Sequence, residues 1–230
     1  MKLFLDAHPL LEASGFVTQF PGPLSEHPTP SAVMEYLSLQ CAVPLSPSDP
    51  VQPTGTKGGD TIKGIVRNLL RHGGFKPTGR SKPACEYLIK AIEQGWLNPN
   101  NGINVVVDVC NVISLHSGLP ISVIDLAKAK PPFSLRICPP DTQYVFNPSG
   151  QVIDIGGLIS LWDADGPCAG PVKDSQRTKT DDATTTTLSI VWGTKDLPGR
   201  TDKATEWYRS LLASAGATTE PVELSPVSGQ

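Results

Sequence analysis

Two apolar runs near the middle of the chain stand out in its hydrophobic pattern. Residues 105–109 hold four valines around one aspartate, and residues 121–124 repeat a β-branched pattern after the turn Gly118-Leu119-Pro120. Nearly continuous β-branched runs are typical of strands that are buried on both faces. The pattern therefore predicts two buried strands, joined by a polar segment and a turn.

Polar side chains interrupt or flank these apolar runs at Asp108, Asn111 and Asp125. A carboxylate or an amide inside a buried element must be hydrogen-bonded or paired, because an isolated polar group is costly to bury. These three side chains are therefore either satisfied structural groups or part of the lining of a site.

Further helices and short strands are expected on both sides of these runs. Helical spacing of apolar residues predicts helices over residues 31–39, 62–71, 82–94 and 201–213, the third with Ser81 as its N-cap. Alternating apolar residues between turns predict strands over residues 16–20, 133–138, 143–146, 151–155, 158–162 and 187–192. The expected organisation is an N-terminal extension packed on the core (residues 1–60), one domain (residues 61–215) and a disordered tail (residues 216–230).

Composition and charge narrow the class of protein. The 230 residues are enough for one sizeable core, and the 23 prolines and 21 glycines favour short strands and turns. The net charge of −3 argues against a general nucleic-acid coat protein, but it is compatible with a local basic patch. The five cysteines are widely spread without a C-x-x-C pair, which argues against a zinc site or a disulfide framework. Without a recognisable signal peptide, membrane span or cofactor motif, we expect a cytoplasmic protein with no metal and no cofactor.

Cations cluster on one predicted helix and in the turn that follows it. They are Lys63, Arg67, Arg71, Lys76, Arg80 and Lys82. A charged stripe of this kind is most often a solvated helix face. The turn, however, leads into a helix N-terminus, where phosphate groups are favoured. The segment is therefore either solvated surface or a contact site for an RNA backbone.

A second polar cluster lies in the Gly- and Pro-rich segment over residues 166–180. Its members are Lys173, Asp174, Ser175, Arg177 and Thr178. No apolar periodicity accounts for them, so the segment is either a solvated loop or a binding loop beside the central runs. His116 is the only histidine near these residues in the pattern, and it is a candidate for substrate binding.

The central segment resembles the signature of the editing domain of the bacterial phenylalanyl-tRNA synthetase β subunit, known as the B3/B4 domain. The positions that carry the resemblance are Ile103, Asn104, Val106, Val107, Asp108, Val109, Asn111, Leu115, Gly118, Pro120, Asp125 and Leu126. A weaker likeness runs from Phe75 to Gly193, and the chain lacks the other parts of a synthetase subunit. It is therefore similar to the free-standing B3/B4 proteins.

The resemblance implies both a fold and an activity. The implied fold is mixed α+β, with a layered β/β/α domain and peripheral terminal elements. The implied activity is that of a trans-editing aminoacyl-tRNA deacylase, which hydrolyses the ester between a wrongly attached amino acid and tRNA. Two alternatives stay open: a tRNA- or RNA-binding module without catalysis, and a small-molecule enzyme or binder that reuses the fold.

Hydrolysis of an activated ester needs a positioned water and donors for the developing oxyanion more than a strong nucleophile. The candidate catalytic residues are accordingly Asn104, Ser122, Lys173, Asp174 and Ser175. The candidate substrate-binding residues are Asp108, Asn111, His116, Asp125, Arg177 and Thr178.

Two positions depart from the family pattern. Ser122 stands where the synthetase domain usually has a histidine, and Pro171-Val172-Lys173 stands around the point where that domain has an acid that recognises a tyrosine hydroxyl. Both departures make tyrosine an unsuitable target. A smaller amino acid, or a charged one facing Lys173 or Asp174, fits better.

Overall fold

A computed structural model describes residues 1–51 and 61–226 of the chain. In these ranges the helices are α1 (Ser31–Met34), α2 (Ile62–Arg71), α3 (Ala84–Glu93), α4 (Val105–Ser117) and α5 (Arg200–Ser214). The strands are β1 (Lys2–Leu5), β2 (Leu11–Gln19), β3 (Ile121–Asp125), β4 (Phe133–Ile137), β5 (Gln143–Val145), β6 (Val152–Asp154), β7 (Ile159–Asp163), β8 (Gly166–Ala169), β9 (Thr186–Thr194), β10 (Thr218–Pro221) and β11 (Glu223–Pro226). The fold is therefore of the mixed α+β class, as the sequence predicts.

The strands form three sheets. A five-stranded sheet has the order β11-β1-β4-β7-β8, a four-stranded sheet has the order β10-β2-β9-β3, and β5 and β6 form a hairpin of their own. Strand β1 is parallel to both β11 and β4, while the other pairings are antiparallel. The turn over residues 147–150 joins β5 to β6, which confirms the predicted hairpin.

The four-stranded sheet contacts α5 on one face and the segment after β8 on the other. On one face, Phe16 and Ser189 contact Tyr208 of α5, with a ring-centroid distance of 4.9 Å for Phe16 and an oxygen–oxygen distance of 3.2 Å for Ser189. On the other face, the Ser122 hydroxyl donates to the carbonyl of Gly170, directly after β8. Both faces of the sheet therefore contact other elements of the fold.

The predicted strand over residues 105–109 is wrong, because these residues form the first turns of α4. Asn104 caps the helix by accepting a hydrogen bond from the Val107 amide at 3.0 Å, and Gly118 ends it in the left-handed conformation at φ 67°. In α4 only Val107 and Asn111 are not fully buried. A helix that is buried on nearly all sides has no amphipathic period, so the apolar run at its start matches the pattern of a buried strand. The second predicted strand is confirmed as β3, which is buried along its whole length.

The ends of several elements differ from the expectation. Helix α1 has four residues instead of nine, and α3 begins at Ala84 after Pro83, so Ser81 does not cap it. Within the expected disordered tail, β10 pairs with β2 and β11 pairs with β1, while residues 227–230 lie outside the described residues. Because β1 and β2 belong to the two main sheets, residues 1–19 are integral to the core. The division of the chain at residues 60 and 215 stays a prediction.

Along the described ranges, no helix combines the length and the apolar character that crossing a membrane requires.

Candidate functional site

The loop after β8 holds Asp174 against the edge of β3. One carboxylate oxygen of Asp174 accepts a hydrogen bond from the Gly170 amide at 3.1 Å, and the other accepts one from the Val123 amide at 3.3 Å. A Cβ atom at Gly170 would lie 3.2 Å from the Ser160 hydroxyl, so the loop packs closely against β7 at this point. The acid is therefore fixed in place by the backbone of two different elements.

The pKa of Asp174 differs from that of an ordinary aspartate. Burial raises the pKa of Asp174 to about 6, although the nearby Ser122 side chain, hydrogen bonds from the Gly170 and Val123 amides and the charge of Lys179 oppose the rise. A carboxyl group with a pKa near 6 is mostly ionised at pH 7 and can still accept and release a proton there. Asp174 is thus chemically suited to act as a general base.

Ser122 of β3 lies against Gly170, at the start of the loop. Its side chain is buried, its hydroxyl lies 3.2 Å from the Gly170 carbonyl, and it accepts a hydrogen bond from the Trp192 indole at 2.9 Å. These contacts occupy the hydroxyl, so Ser122 positions the start of the loop and is not free to act as a nucleophile.

Lys173 faces an aromatic surface. Its ammonium nitrogen lies 3.8 Å from the centroid of the Phe146 ring and 5.6 Å from that of Tyr87. Burial lowers the pKa of Lys173, and the charges of Arg80 and Lys179 act in the same direction. Lys173, Arg80 and Lys179 are therefore close enough for their charges to interact, and the carboxylate of Asp174 interacts with Lys179.

The basic turn before α3 contacts the same loop. The Ala84 amide, at the start of α3, donates a hydrogen bond to the Pro171 carbonyl at 2.9 Å. This bond uses one of the amides that were expected to bind a phosphate. Within the described part of the chain, no carboxylate pairs with Lys76, Arg80 or Lys82. The three side chains of the turn therefore remain available to an anionic ligand.

The predicted cationic stripe on α2 is largely used within the protein. Arg67 makes two hydrogen bonds to Glu86 at 2.6 and 2.7 Å, and Lys63 lies 3.5 Å from the same carboxylate. Arg71 donates to the side chain of Asn68 at 2.7 Å. These contacts tie α2 to α3 and leave the stripe less able to bind RNA than the turn.

The remaining polar residues of the loop fold the loop itself. Arg177 makes two hydrogen bonds of 2.8 Å to the buried carboxylate of Asp163 in β7. The Thr178 hydroxyl donates to the Cys168 carbonyl at 2.9 Å, and the Ser175 hydroxyl accepts from the Arg177 amide at 3.3 Å. These contacts account for the three side chains without a ligand, so their place in catalysis or substrate binding stays a prediction.

The polar residues of α4 and β3 are also satisfied internally. Asp108 accepts hydrogen bonds from the Thr29 hydroxyl at 2.6 Å and the Ile103 amide at 2.8 Å. Asp125 accepts from the Thr184 hydroxyl and the Ala127 amide, both at 2.8 Å.

In the described part of the chain, no hydrogen bond joins Asp174 to the three other predicted residues, Asn104, Asn111 and His116. Asn104 caps α4, and its amide nitrogen lies 3.3 Å from the Thr180 hydroxyl, just beyond the polar loop. Asn111 is half-buried in the middle of α4. His116 is buried near the C-terminal end of α4 and donates to the Tyr36 carbonyl at 2.7 Å.

The predicted residues thus fall into three places. Lys173, Asp174 and Ser122 meet at the loop after β8. Asn104 and Asp108 line a depression of about 400 Å³ at the start of α4. His116, Lys63 and Lys82 line a cleft of about 850 Å³ that follows α3.

Four residues that the sequence analysis did not single out belong to the first of these places: Tyr87, Phe146, Tyr144 and Lys179. The Lys179 ammonium donates to the Phe146 carbonyl at 2.6 Å, and the buried Tyr144 hydroxyl donates to the Lys173 carbonyl. Lys179 belongs to the same polar segment as Lys173, which is the one signal that points to it. The rings come from separate segments and carry no such signal. Over the ranges that the structure describes, no group of His, Cys, Asp and Glu side chains is arranged to hold a metal ion.

Comparison with known proteins adds one partial similarity. Neither protein-family models nor curated proteins match the chain. Among solved structures, the chain is similar to an N-terminal fragment of the phenylalanyl-tRNA synthetase β subunit from Pyrococcus horikoshii, at 15% sequence identity and a TM-score of 0.46. The similarity covers 53% of this chain and 43% of that one, so the chain spans less than half of the fragment. A similarity at this level shows neither family nor activity.

Proposed function

We propose that the protein hydrolyses the ester bond of wrongly charged aminoacyl-tRNA in trans, at the loop that holds Lys173 and Asp174. The observation that carries the proposal is the meeting of this loop with the basic turn through the bond between Ala84 and Pro171. The loop that carries the acid thereby contacts the start of α3, directly after the turn that carries the unpaired cations. The resemblance of the central segment to the B3/B4 signature supports the same conclusion.

The reaction assigns a separate task to each side chain. A water oxygen attacks the carbonyl carbon of the ester while Asp174 accepts a proton from that water. The ammonium of Lys173 stabilises the oxyanion that develops on the carbonyl oxygen. When the ester C–O bond breaks, Asp174 returns the proton to the ribose oxygen, which leaves free amino acid and uncharged tRNA.

The surface around the loop, with Lys76, Arg80, Phe146 and Tyr87, binds the RNA. Lys76 and Arg80 are exposed and have no acidic partner in the described ranges, so they are available to backbone phosphates. Phe146 and Tyr87 are half-buried and offer ring faces beside Lys173. Aromatic faces interleaved with cations are typical of surfaces that bind single-stranded nucleic acid.

One observation favours a second candidate, an RNA-binding module without catalysis. Both carboxylate oxygens of Asp174 already accept backbone hydrogen bonds, from Gly170 and Val123. These bonds occupy about half of the lone-pair sites of the carboxylate and suit an acid that holds a loop. In that case the basic turn would bind RNA, and Asp174 would serve only to shape the surface.

Incubation with a panel of correctly and wrongly charged tRNAs distinguishes these functions. The proposal expects faster release of the amino acid from at least one wrongly charged tRNA than from its correctly charged counterpart. Binding of tRNA without release from any member of the panel would favour the binding module. The absence of both binding and release would favour a small-molecule enzyme or binder.

A further inference from the structure

The cleft of about 850 Å³ beside α3 is a separate feature of the protein. It lies between α2, α3 and the segment over residues 39–48, close to the C-terminal end of α4. Of the described residues that line it, none belongs to the loop over residues 170–179. Its volume is in the range of cavities that bind small organic molecules.

Both apolar and cationic side chains line the cleft. The apolar ones include Val43, Ile62 and Ile89, here called the walls, and the cationic ones include the half-buried Lys82 and the exposed Lys90, here called the rim. In the described part of the chain, neither lysine has a carboxylate within ion-pair distance. The combination favours a ligand with an apolar body and a negative charge, because such a ligand buries the walls and pairs with the rim.

Glu86, an acid that lines the cleft, does not make the cleft favour a cationic ligand. The Glu86 carboxylate receives two hydrogen bonds from Arg67 and lies 3.5 Å from Lys63, so its charge is compensated inside the protein. Glu93, the other acid that lines the cleft, is exposed on the last turn of α3. The balance of uncompensated charge at the rim is therefore positive.

A cysteine and a histidine meet in this cleft, but they do not form a nucleophilic pair. The sulfur of Cys41 lies 3.7 Å from Nε2 of His116, and that nitrogen is 2.7 Å from the Tyr36 carbonyl. Because a carbonyl only accepts, Nε2 carries a proton and cannot take one from the thiol. The thiol itself donates to the Ser38 carbonyl at 3.0 Å, and burial raises the pKa of Cys41. The arrangement therefore suits binding and not covalent catalysis.

We propose that this cleft is a second ligand site, which binds a small organic anion with an aromatic or aliphatic body. The apolar part of the ligand lies against Val43, Ile62 and Ile89, and its anionic group lies at the rim with Lys82 and Lys90. The site does not depend on the proposed deacylation, since it contains neither Lys173 nor Asp174 and shares only Lys82 with the basic turn.

Binding of a ligand in the cleft can be detected through Cys41, which lines it. Cys41 is half-buried, whereas Cys85, Cys110, Cys138 and Cys168 are buried. Alkylation of the native protein by iodoacetamide, followed by intact mass, should therefore add one group at Cys41. A ligand in the cleft covers this thiol and slows the reaction.

The test uses 8-anilinonaphthalene-1-sulfonate as the anionic probe and N-phenyl-1-naphthylamine as its counterpart without the sulfonate. We expect the sulfonate to bind with increased fluorescence and to slow alkylation of Cys41 at least tenfold at saturation. The uncharged counterpart should bind at least tenfold more weakly. Binding of the sulfonate that leaves Cys41 alkylation unchanged, or no binding at all, would overturn the proposal.

Matched variants separate the rim from general surface charge. Lys90→Glu should weaken the binding of the sulfonate at least tenfold, and Lys90→Gln should weaken it by a smaller factor with the same melting temperature as wild type. The control is Lys203→Glu, which reverses an exposed charge on α5. Equal affinity for wild type and Lys90→Glu would refute the role of the rim.

Discussion

Replacing Asp108 by alanine should destabilise the protein, because this carboxylate holds the start of α4. Its side chain is 1% exposed and accepts two hydrogen bonds, from the Thr29 hydroxyl at 2.6 Å and the Ile103 amide at 2.8 Å. Losing the acceptor leaves the Thr29 hydroxyl and the Ile103 amide without this partner, at about 1–3 kcal/mol per buried group. The first turn of α4 also loses a negative charge, which is worth about 0.3–1 kcal/mol.

Ile103 itself is exposed, so water can replace part of the lost bond at its amide. We therefore expect the free energy of unfolding to fall by about 3 kcal/mol, which lowers the melting temperature of a chain of this size by roughly 6–12 °C. Asp108→Asn keeps one acceptor oxygen and should lose less than half as much.

Urea unfolding followed by circular dichroism measures both variants, with Asp182→Ala as the control. Asp182 is an exposed acid at the same depression, and its loss should change the free energy of unfolding by about 0.5 kcal/mol or less. If Asp108→Ala unfolds within 0.5 kcal/mol of wild type, roughly the effect of a surface substitution, Asp108 does not anchor the helix.

Three further predictions follow from the same contacts. Arg177→Ala removes the partner of the buried Asp163 carboxylate and should lower the free energy of unfolding by about 1–3 kcal/mol, and the double variant with Asp163→Ala should recover part of the loss in a urea-unfolding cycle. Burial lowers the pKa of His8 from 6.5 to about 4, so the unfolded chain binds more protons between these values and stability should fall as the pH drops from 6.5 to 4. Urea titrations at pH 7 and 5 should show a smaller fall for His8→Asn, whereas an equal fall in both proteins would contradict the assignment. Arg80→Ala combined with Lys82→Ala should weaken tRNA binding and reduce its salt dependence while leaving the melting temperature unchanged, and an unaltered salt slope would exclude the turn from RNA contact.

The sequence predicted those elements whose signals are local. Helix α2 has a clear amphipathic period and ends at the glycines after Arg71, and the hairpin β5–β6 follows from its turn over residues 147–150. Helix α4 was missed because it is buried on nearly all sides, although Asn104 before it and Gly118 after it were both recognisable as helix boundaries. The tail was missed because β10 and β11 are stabilised by pairing with β2 and β1 at the other end of the chain.

The site was only partly predictable, for a related reason. The loop with Lys173 and Asp174 was identified from its polar composition, but the partner that holds Asp174, the Val123 amide, lies 51 residues away. The structural tasks of Arg177 and Thr178 depend on β7 and β8, which lie earlier in the chain. Phe146 and Tyr87 come from separate elements, and only the fold brings their rings to Lys173.

The most direct test of hydrolysis at this loop is the single-turnover rate of deacylation for wild type, Lys173→Met and Asp174→Asn. It is measured with enzyme in excess over the wrongly charged tRNA, and thermal unfolding is recorded on the same preparations. Lys173→Met keeps an apolar side chain against Phe146 and removes only the charge, so its fold should be intact. Lys203→Met, on the exposed surface of α5, is the matched control.

We predict that Lys173→Met and Asp174→Asn each lower the rate constant at least tenfold, or about 1.4 kcal/mol in the activation barrier, while Lys203→Met stays within twofold of wild type. Rates within twofold of wild type for both loop variants would contradict the assignment of the catalytic site to Lys173 and Asp174.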